Sequence, residues 1–208
     1  FWGYNFITGN LHNFGGRTKL HGDLALLAEN QYLALKAKQL PVCGTGLFME
    51  GIHQNPVYYD LAFEMLTADD RADITAWLNQ YAERRYNTSA RSAKEAWQLL
   101  RRTAYAPGTN GVESSSVICA RPAVRVKKSG PNNGFVTSYG NKRLIQAYRL
   151  LRQTASATDG YAYDLTDIIR QILSNYALDL YREVSQSFLN REKEGFKRLS
   201  GQFLTLLD

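Results

Sequence analysis

Gly44-Thr45-Gly46-Leu47-Phe48-Met49-Glu50-Gly51-Ile52-His53-Gln54-Asn55 is the stretch on which the reading of this chain turns. A short apolar run (Pro41, Val42, Cys43, then Leu47, Phe48, Met49) is broken by glycines and ends on a carboxylate. Pro56 follows, and its fixed φ suits the first turn of a helix. Glu50 therefore falls where a buried strand empties into a loop before a helix. In a parallel α/β barrel that edge of the sheet carries the catalytic groups. Gly46 and Gly51 have no side chain beside the carboxylate, which leaves room for a ligand. The competing reading makes Glu50 a solvent-facing loop residue or a cap for the helix at Pro56.

Upstream, Tyr4 to Leu11 reads as a strand leading into a His12 to Gly16 loop, where Gly15-Gly16 permits a turn that other residues resist. Ala25 to Lys38 is helical, with Leu26, Leu27, Leu33 and Leu35 forming a broad apolar face. Pro41 to Met49 is the second strand. This strand-loop-helix alternation is the grammar of a parallel sheet with outer helices. Only about two such units fit before residue 66, whereas a barrel needs about eight. From Thr67 the pattern is helical. Ile74, Trp77, Leu78 and Tyr81 recur at three and four, and Ser92 with Glu95 reads as a capping box before Ala96, Trp97, Leu99 and Leu100. Asn141 precedes Leu144, Ile145, Tyr148 and Leu151 in the same way. After Asp164 a four-residue stride (Leu165, Ile168, Ile172, Tyr176, Leu180, Val184, Phe188) predicts one long helix with a core-facing stripe. Between them, residues 107–138 are rich in Gly, Ser, Asn and Pro. A connection this long is often functional. It either folds over the barrel mouth or makes a surface excursion; Val117-Ile118-Cys119-Ala120 and Val124-Arg125-Val126 favour an ordered loop with an extended segment.

The chain has 208 residues and a net charge of +6, but its basic residues come in scattered pairs: Arg84-Arg85, Arg101-Arg102, Lys127-Lys128, Lys142-Arg143. Nucleic-acid binding needs a concentrated patch, so no nucleic-acid partner is expected. No run of 18 or more apolar residues marks a membrane span. Cys43 and Cys119 lie in unlike contexts and imply no disulfide framework; Cys43 reads as a small buried hydrophobe. His12, His21 and His53 lack the spacing of a metal-binding helix, so no metal is expected. Asn87-Thr88-Ser89 fits a glycosylation acceptor, a triplet that also arises by chance.

The Glu50 segment resembles the nucleophile segment of the family 89 glycoside hydrolases, the α-N-acetylglucosaminidases. Their pattern reads Gly-Thr-Gly, a short variable stretch, Glu-Gly-Ile, one variable residue, then Gln-Asn. Gly44-Thr45-Gly46, Glu50-Gly51-Ile52 and Gln54-Asn55 reproduce it, with His53 in the variable place. Leu11-His12-Asn13-Phe14-Gly15-Gly16 is similar to a second family segment. Weaker echoes follow in Asn55-Pro56-Val57-Tyr58-Tyr59-Asp60-Leu61, Ala76-Trp77, Ala82-Glu83-Arg84-Arg85-Tyr86 and Ala96-Trp97. The family often has Trp where this chain has Thr8, and Asn where it has Arg17.

The resemblance implies the last βα units of a TIM-type α/β barrel over residues 1–66 and a mostly α-helical domain over 67–208, predominantly α in all. The chain reads as a fragment, beginning at Phe1 without an initiator Met and ending at Asp208 within an apolar helical pattern. Missing barrel strands and an acid/base Glu are expected upstream in the same polypeptide. The implied activity is retaining hydrolysis of terminal α-linked N-acetylglucosamine from glycans, without a cofactor. Such an enzyme is secreted or periplasmic in a bacterium and lysosomal in an animal. Glu50 is the implied nucleophile, with Asn13, Thr45 and Gln54 as polar supports. His12 is a sugar-hydroxyl contact or, equally, a ring that shapes the loop through backbone hydrogen bonds. The family's helical domain also lends an aromatic group to the site. Counting back from Ala147-Tyr148-Arg149, it falls on Ser138, which leaves Tyr139 as the neighbouring candidate. The alternative is a non-catalytic helical interaction module in which Glu50 is structural.

Overall fold

A computed structural model describes residues 2–13, 18–36, 41–51, 55–68, 70–109, 115–129, 134–135 and 139–208. The element order is β1 (Phe6–Asn10), α1 (Leu24–Lys36), β2 (Val42–Leu47), α2 (Pro56–Glu64), α3 (Ile74–Tyr86), α4 (Arg91–Arg101), a 3-10 turn (Val117–Cys119), α5 (Asn141–Arg152), α6 (Asp159–Leu189) and α7 (Lys193–Leu207). The chain is mostly helical.

β1 and β2 pair in parallel, with Ile7 opposite Gly44 and Asn10 opposite Leu47. Parallel neighbours need a crossover, and α1 supplies it. Asp23 starts α1 by accepting from the Leu26 amide at 2.9 Å. Gln31 on α1 reaches Thr45 of β2 at 3.4 Å. The buried stripe of α1 is Leu24, Leu27, Ala28 and Gln31, at helical spacing. Leu26 and Leu33 are exposed, so the expected broad apolar face is narrower, as one small sheet covers only one stripe. Cys43 is exposed as well, not a buried hydrophobe. With two strands paired among the described residues, the sheet edges are open, and the thiol donates to the Phe6 carbonyl at 3.4 Å. The space expected beside Gly46 is taken by the Phe48 ring. A Cβ on Gly46 would lie 3.2 Å from that ring, and one on Gly9 only 2.2 Å.

The helical region is built around aromatic residues. Asp73 caps α3 by accepting from the Thr75 and Ala76 amides. Ile74, Trp77, Leu78 and Tyr81 are then all buried on one face, as their spacing predicts. Tyr81 stacks on Trp77 at 5.2 Å and meets Trp97 edge-on at 5.0 Å. The capping box does not form. α4 begins at Arg91, which places Ser92 inside the first turn; its hydroxyl meets Thr154 at 3.0 Å while Glu95 pairs with Arg91 at 2.6 Å. Asn141 is likewise the first residue of α5, not its cap, and its amide donates to the Ile172 carbonyl of α6.

α6 runs for 31 residues, starting five residues before Asp164 because the Thr158 hydroxyl caps it at Tyr161. Ile168, Ile172 and Leu180 face the core, but Tyr176 and Phe188 are about half exposed, at 48% and 49%. Leu180, one four-residue step beyond Tyr176, is buried again, so the exposure follows which neighbours cover the helix at each level and not a steady drift of the stripe. Buried polar residues Asp164, Gln171 and Asn175 take up part of the face. Within the long connection, Val117 packs on Ala177 and Leu178 of α6. Its first apolar piece forms a 3-10 turn, not an extended segment. The Tyr181 hydroxyl holds the Ala123 carbonyl at 3.0 Å and the Val126 amide at 2.5 Å.

Trp97→Ala should destabilise the fold by about 3–5 kcal/mol, since a buried aromatic leaves a cavity and an orphaned Tyr86 hydroxyl partner. Tyr176→Ala, at a half-exposed position, should cost less than about 1 kcal/mol. Denaturant midpoints of the two variants check this order.

Candidate active site

Beyond their last ladder pair the two strands stay side by side. The Phe48 amide donates to the Asn10 carbonyl at 3.0 Å, and the Glu50 amide to the Asn13 carbonyl at 3.3 Å. Glu50 thus stands, exposed, at the C-terminal edge of the parallel pair. The Asn13 side chain completes the joint: its Nδ2 donates to the Gly51 carbonyl at 2.8 Å and its Oδ1 accepts from the Gly51 amide at 3.3 Å. A planar amide carries a donor group and an acceptor side by side, which lets one side chain hold both the N–H and the C=O of Gly51. Asn13 is fully buried. Its role here is to fix the backbone next to Glu50.

His12 is buried and both of its ring nitrogens are engaged. Nε2 lies 3.0 Å from the His21 carbonyl, and Nδ1 lies 3.4 Å from the Tyr59 hydroxyl. The ring stacks between His21 at 4.2 Å and Tyr58 at 3.7 Å. Burial, helped by the neighbouring His21 charge, pulls its pKa down to about 3. The neutral ring with its proton on Nε2 satisfies both contacts. Of the two readings of His12, this geometry is that of the ring that shapes the loop.

Gln54 lies outside the described residues. Thr45 is on β2, facing α1 through Gln31. Tyr139 is buried; its hydroxyl donates to the Leu20 carbonyl and the Lys19 ammonium sits 5.3 Å from its ring centre. Its remaining edge lines a cavity of about 490 Å³ with Thr109, Lys142 and Arg143. The geometry therefore brings Asn13 and Glu50 together, while His12 packs on His21, Tyr58 and Tyr59, and Tyr139 on Leu20 and Lys19. Among the described residues no group of three His, Cys, Asp or Glu side chains is placed to hold a metal. No helix among them is long and apolar enough to cross a membrane.

Two residues matter that sequence reasoning passed over. Gly22 has φ +130, and a Cβ there would lie 2.7 Å from His12 Nε2 and 2.8 Å from Tyr58. Only glycine fits. Asn55, the N-cap of α2, is left-handed (φ 51, ψ 51) and fully buried. Its side chain does not cap its own helix. Oδ1 accepts from the His21 amide at 3.2 Å and the Tyr105 hydroxyl at 3.0 Å, while Nδ2 donates to the Lys19 carbonyl at 3.3 Å. The signals were its place in the Gln54-Asn55 motif and an Asn, the non-glycine residue most at ease in this conformation, before a helix-opening Pro; neither pointed to its three bonds.

Two measurements follow from this packing. Gly22→Ala combines backbone strain with overpacking and should destabilise by roughly 2–5 kcal/mol, read as a lowered denaturant midpoint. For His12, the unfolded chain binds a proton near pH 6.5 that the folded state refuses until about pH 3. The unfolded state thus holds more protons in that window, and stability falls as pH drops through it, by up to about 1.4 kcal/mol per unit. The difference in unfolding free energy between wild type and His12→Gln, followed from pH 7 to 4, should shrink with that slope.

Comparison with known proteins adds a second kind of observation. Residues 1–69 match the α-N-acetylglucosaminidase tim-barrel domain family model, and residues 77–208 match the α-N-acetylglucosaminidase C-terminal domain. Human α-N-acetylglucosaminidase is 31% identical over 207 residues, which is 97% of this chain and 27% of the human protein. A family 89 glycoside hydrolase of Clostridium perfringens, solved as a double Glu-to-Gln variant with its substrate GlcNAc-α-1,4-galactose, is 30% identical with a TM-score of 0.87. That alignment covers 96% of this chain and 23% of the bacterial one. The same hydrolase with 2-acetamido-1,2-dideoxynojirimycin superposes over the same shares, at 30% identity and a TM-score of 0.89. The chain spans about a quarter of the length of these relatives.

Proposed function

Since the chain belongs to the α-N-acetylglucosaminidase family, we propose that it carries the nucleophile of a retaining glycoside hydrolase that releases terminal α-linked N-acetylglucosamine. The observation that carries this is Glu50: an exposed carboxylate at the C-terminal edge of two parallel strands, its backbone held by Asn13 and by the Asn13 clamp on Gly51. Residues 1–66 are then the end of the catalytic barrel and 67–208 the helical domain, a division supported by family models that part between 69 and 77. The glycan held by the Clostridium relative supports the substrate class.

Glu50 attacks the anomeric carbon and the aglycone oxygen leaves, giving a covalent glycosyl-enzyme. A second carboxyl about 5–5.5 Å away protonates the leaving oxygen, then takes a proton from the water that hydrolyses the intermediate. No residue of this chain is assigned that second role. Glu50 must remain ionised and aimed, and its aim is what the Asn13 clamp supplies. Gln54, four residues on, is a further polar group for the sugar or for the carboxylate; Tyr139, its hydroxyl given to the Leu20 carbonyl, can offer the site only its ring edge.

In the complete enzyme, Glu50→Gln should remove nearly all turnover of an aryl α-N-acetylglucosaminide while leaving the melting temperature in place, because shape is kept and the nucleophile is lost. Glu50→Gly with added azide should yield the β-glycosyl azide, the small anion attacking from the vacated face. Retention of more than about a tenth of kcat by Glu50→Gln sinks the assignment.

A further inference from the structure

We infer that Tyr105, from the helical region, is a positioning residue for the Glu50 nucleophile and acts through Asn55. This rests on the Glu50 reading above. The segment that carries Glu50 is anchored at both ends by asparagines. At its front, Asn13 grips Gly51 from both sides. At its back, Asn55 holds the chain in a left-handed turn as it enters α2. Between these anchors lie only Ile52, His53 and Gln54. The four residue steps from Gly51 to Asn55 span at most about 14 Å, so where Asn55 stands bounds where Gly51 and its neighbour Glu50 can stand.

Left-handed geometry is unfavourable for a residue with a side chain, so something must hold Asn55 there. Its Oδ1 is gripped from two sides, by the His21 amide of the strand region and by the Tyr105 hydroxyl. Tyr105 is buried, and sits just past α4, where its amide closes on the Leu100 carbonyl at 3.0 Å. Its ring stacks on Trp97 at 6.2 Å. The hydroxyl is thus presented by the rigid part of the helical core. Burial pushes that hydroxyl's pKa well above the ordinary tyrosine value, so it remains a donor. Tyr105 is the one direct side-chain bond from the helical region to the Asn55 side chain among the described residues.

The test uses the complete enzyme. Tyr105→Phe keeps the ring and removes the donor. We expect kcat to fall by about fivefold to tenfold, with KM within about twofold, the loss of one buried hydrogen bond expressed in the aim of the nucleophile. Trapping of Glu50 by a slow fluoro-sugar, which reads its attack directly, should slow by the same factor. Asn55→Gly, which accepts the left-handed backbone but makes none of the three bonds, should slow both by more. Tyr86→Phe is the control: its hydroxyl bonds Asp164 and Trp97 inside the helical core, so it should lower the melting temperature and leave kcat alone. Unchanged kcat in Tyr105→Phe beside an inactive Glu50→Gln overturns this inference and spares the Glu50 assignment. Parallel losses of kcat in Tyr105→Phe and Tyr86→Phe overturn it too, since they mark general loosening. An active Glu50→Gln overturns both.

Discussion

The constraint on which this structure depends is the hydrogen-bonding demand of a buried stretch with no secondary structure. Residues 19–23 are buried, yet belong to neither strand nor helix. Buried peptide groups must find partners. Here side chains provide them. The Leu20 amide donates to Gln171 at 2.8 Å and its carbonyl accepts from Tyr139. The His21 amide goes to Asn55 and its carbonyl lies against His12. The Gly22 amide reaches Thr109 at 3.3 Å, and just before this stretch the Thr18 carbonyl accepts from Arg170. Gln171, Tyr139, Thr109 and Arg170 all come from the helical region. The strand region therefore cannot be buried correctly without it.

Those donors are useful only if they are themselves fixed, and the helical core does this with polar chains of its own. Gln171 Nε2 donates to Asn175 at 2.8 Å, so its Oε1 is left facing Leu20; Asn175 in turn donates to Asn141 at 2.9 Å. One link thus runs from the strand region through α6 to the start of α5. A second lock joins α3 to α6. Arg85 grips Asp164 with two bonds, at 2.6 and 2.9 Å, and the Tyr86 hydroxyl adds a third at 2.7 Å. Burial pushes the Asp164 carboxyl upward, and Arg85 and Tyr86 pull against it. Such a buried pair adds little net stability, because desolvation offsets attraction, but a misaligned α6 would strand a charge. It sets the register of the helix that carries Gln171 and Arg170.

What could be read from sequence follows from this division. Trp77, Tyr81, Ile168 and Ile172 were legible because apolar burial leaves a periodic trace. That trace has limits. A stripe at a constant four-residue stride looks like core along its length, yet Tyr176 and Phe188 are half exposed while Leu180 between them is buried, since cover depends on neighbours that periodicity does not show. Ser92 and Glu95 have the spacing of a capping box, but the helix starts earlier and each side chain finds a tertiary or local partner instead. Motif resemblance picked out Glu50 and Asn13 as candidates; the clamp of Asn13 on Gly51 left no such trace, since nothing periodic links positions 38 residues apart. Gly22 and Asn55 were missed for a related reason. Their importance lies in contacts from other elements.

Asn55 shows why such residues escape attention and why their effect is positional. It stands at the N-cap of α2, the site where Asn ordinarily contributes about 1 kcal/mol by capping, and forgoes that bond. Its left-handed backbone costs about 1 kcal/mol more. Against these stand three buried hydrogen bonds, worth about 1 kcal/mol each. The sum is about 1 kcal/mol in favour, a small margin beside the number of partners involved. What it does is join three otherwise separate pieces at one amide: the irregular stretch at Lys19 and His21, the entry to α2 just after Glu50, and Tyr105 beyond α4. A residue with three fixed partners holds its own backbone in place, and that backbone is the end of the short segment that begins at the carboxylate.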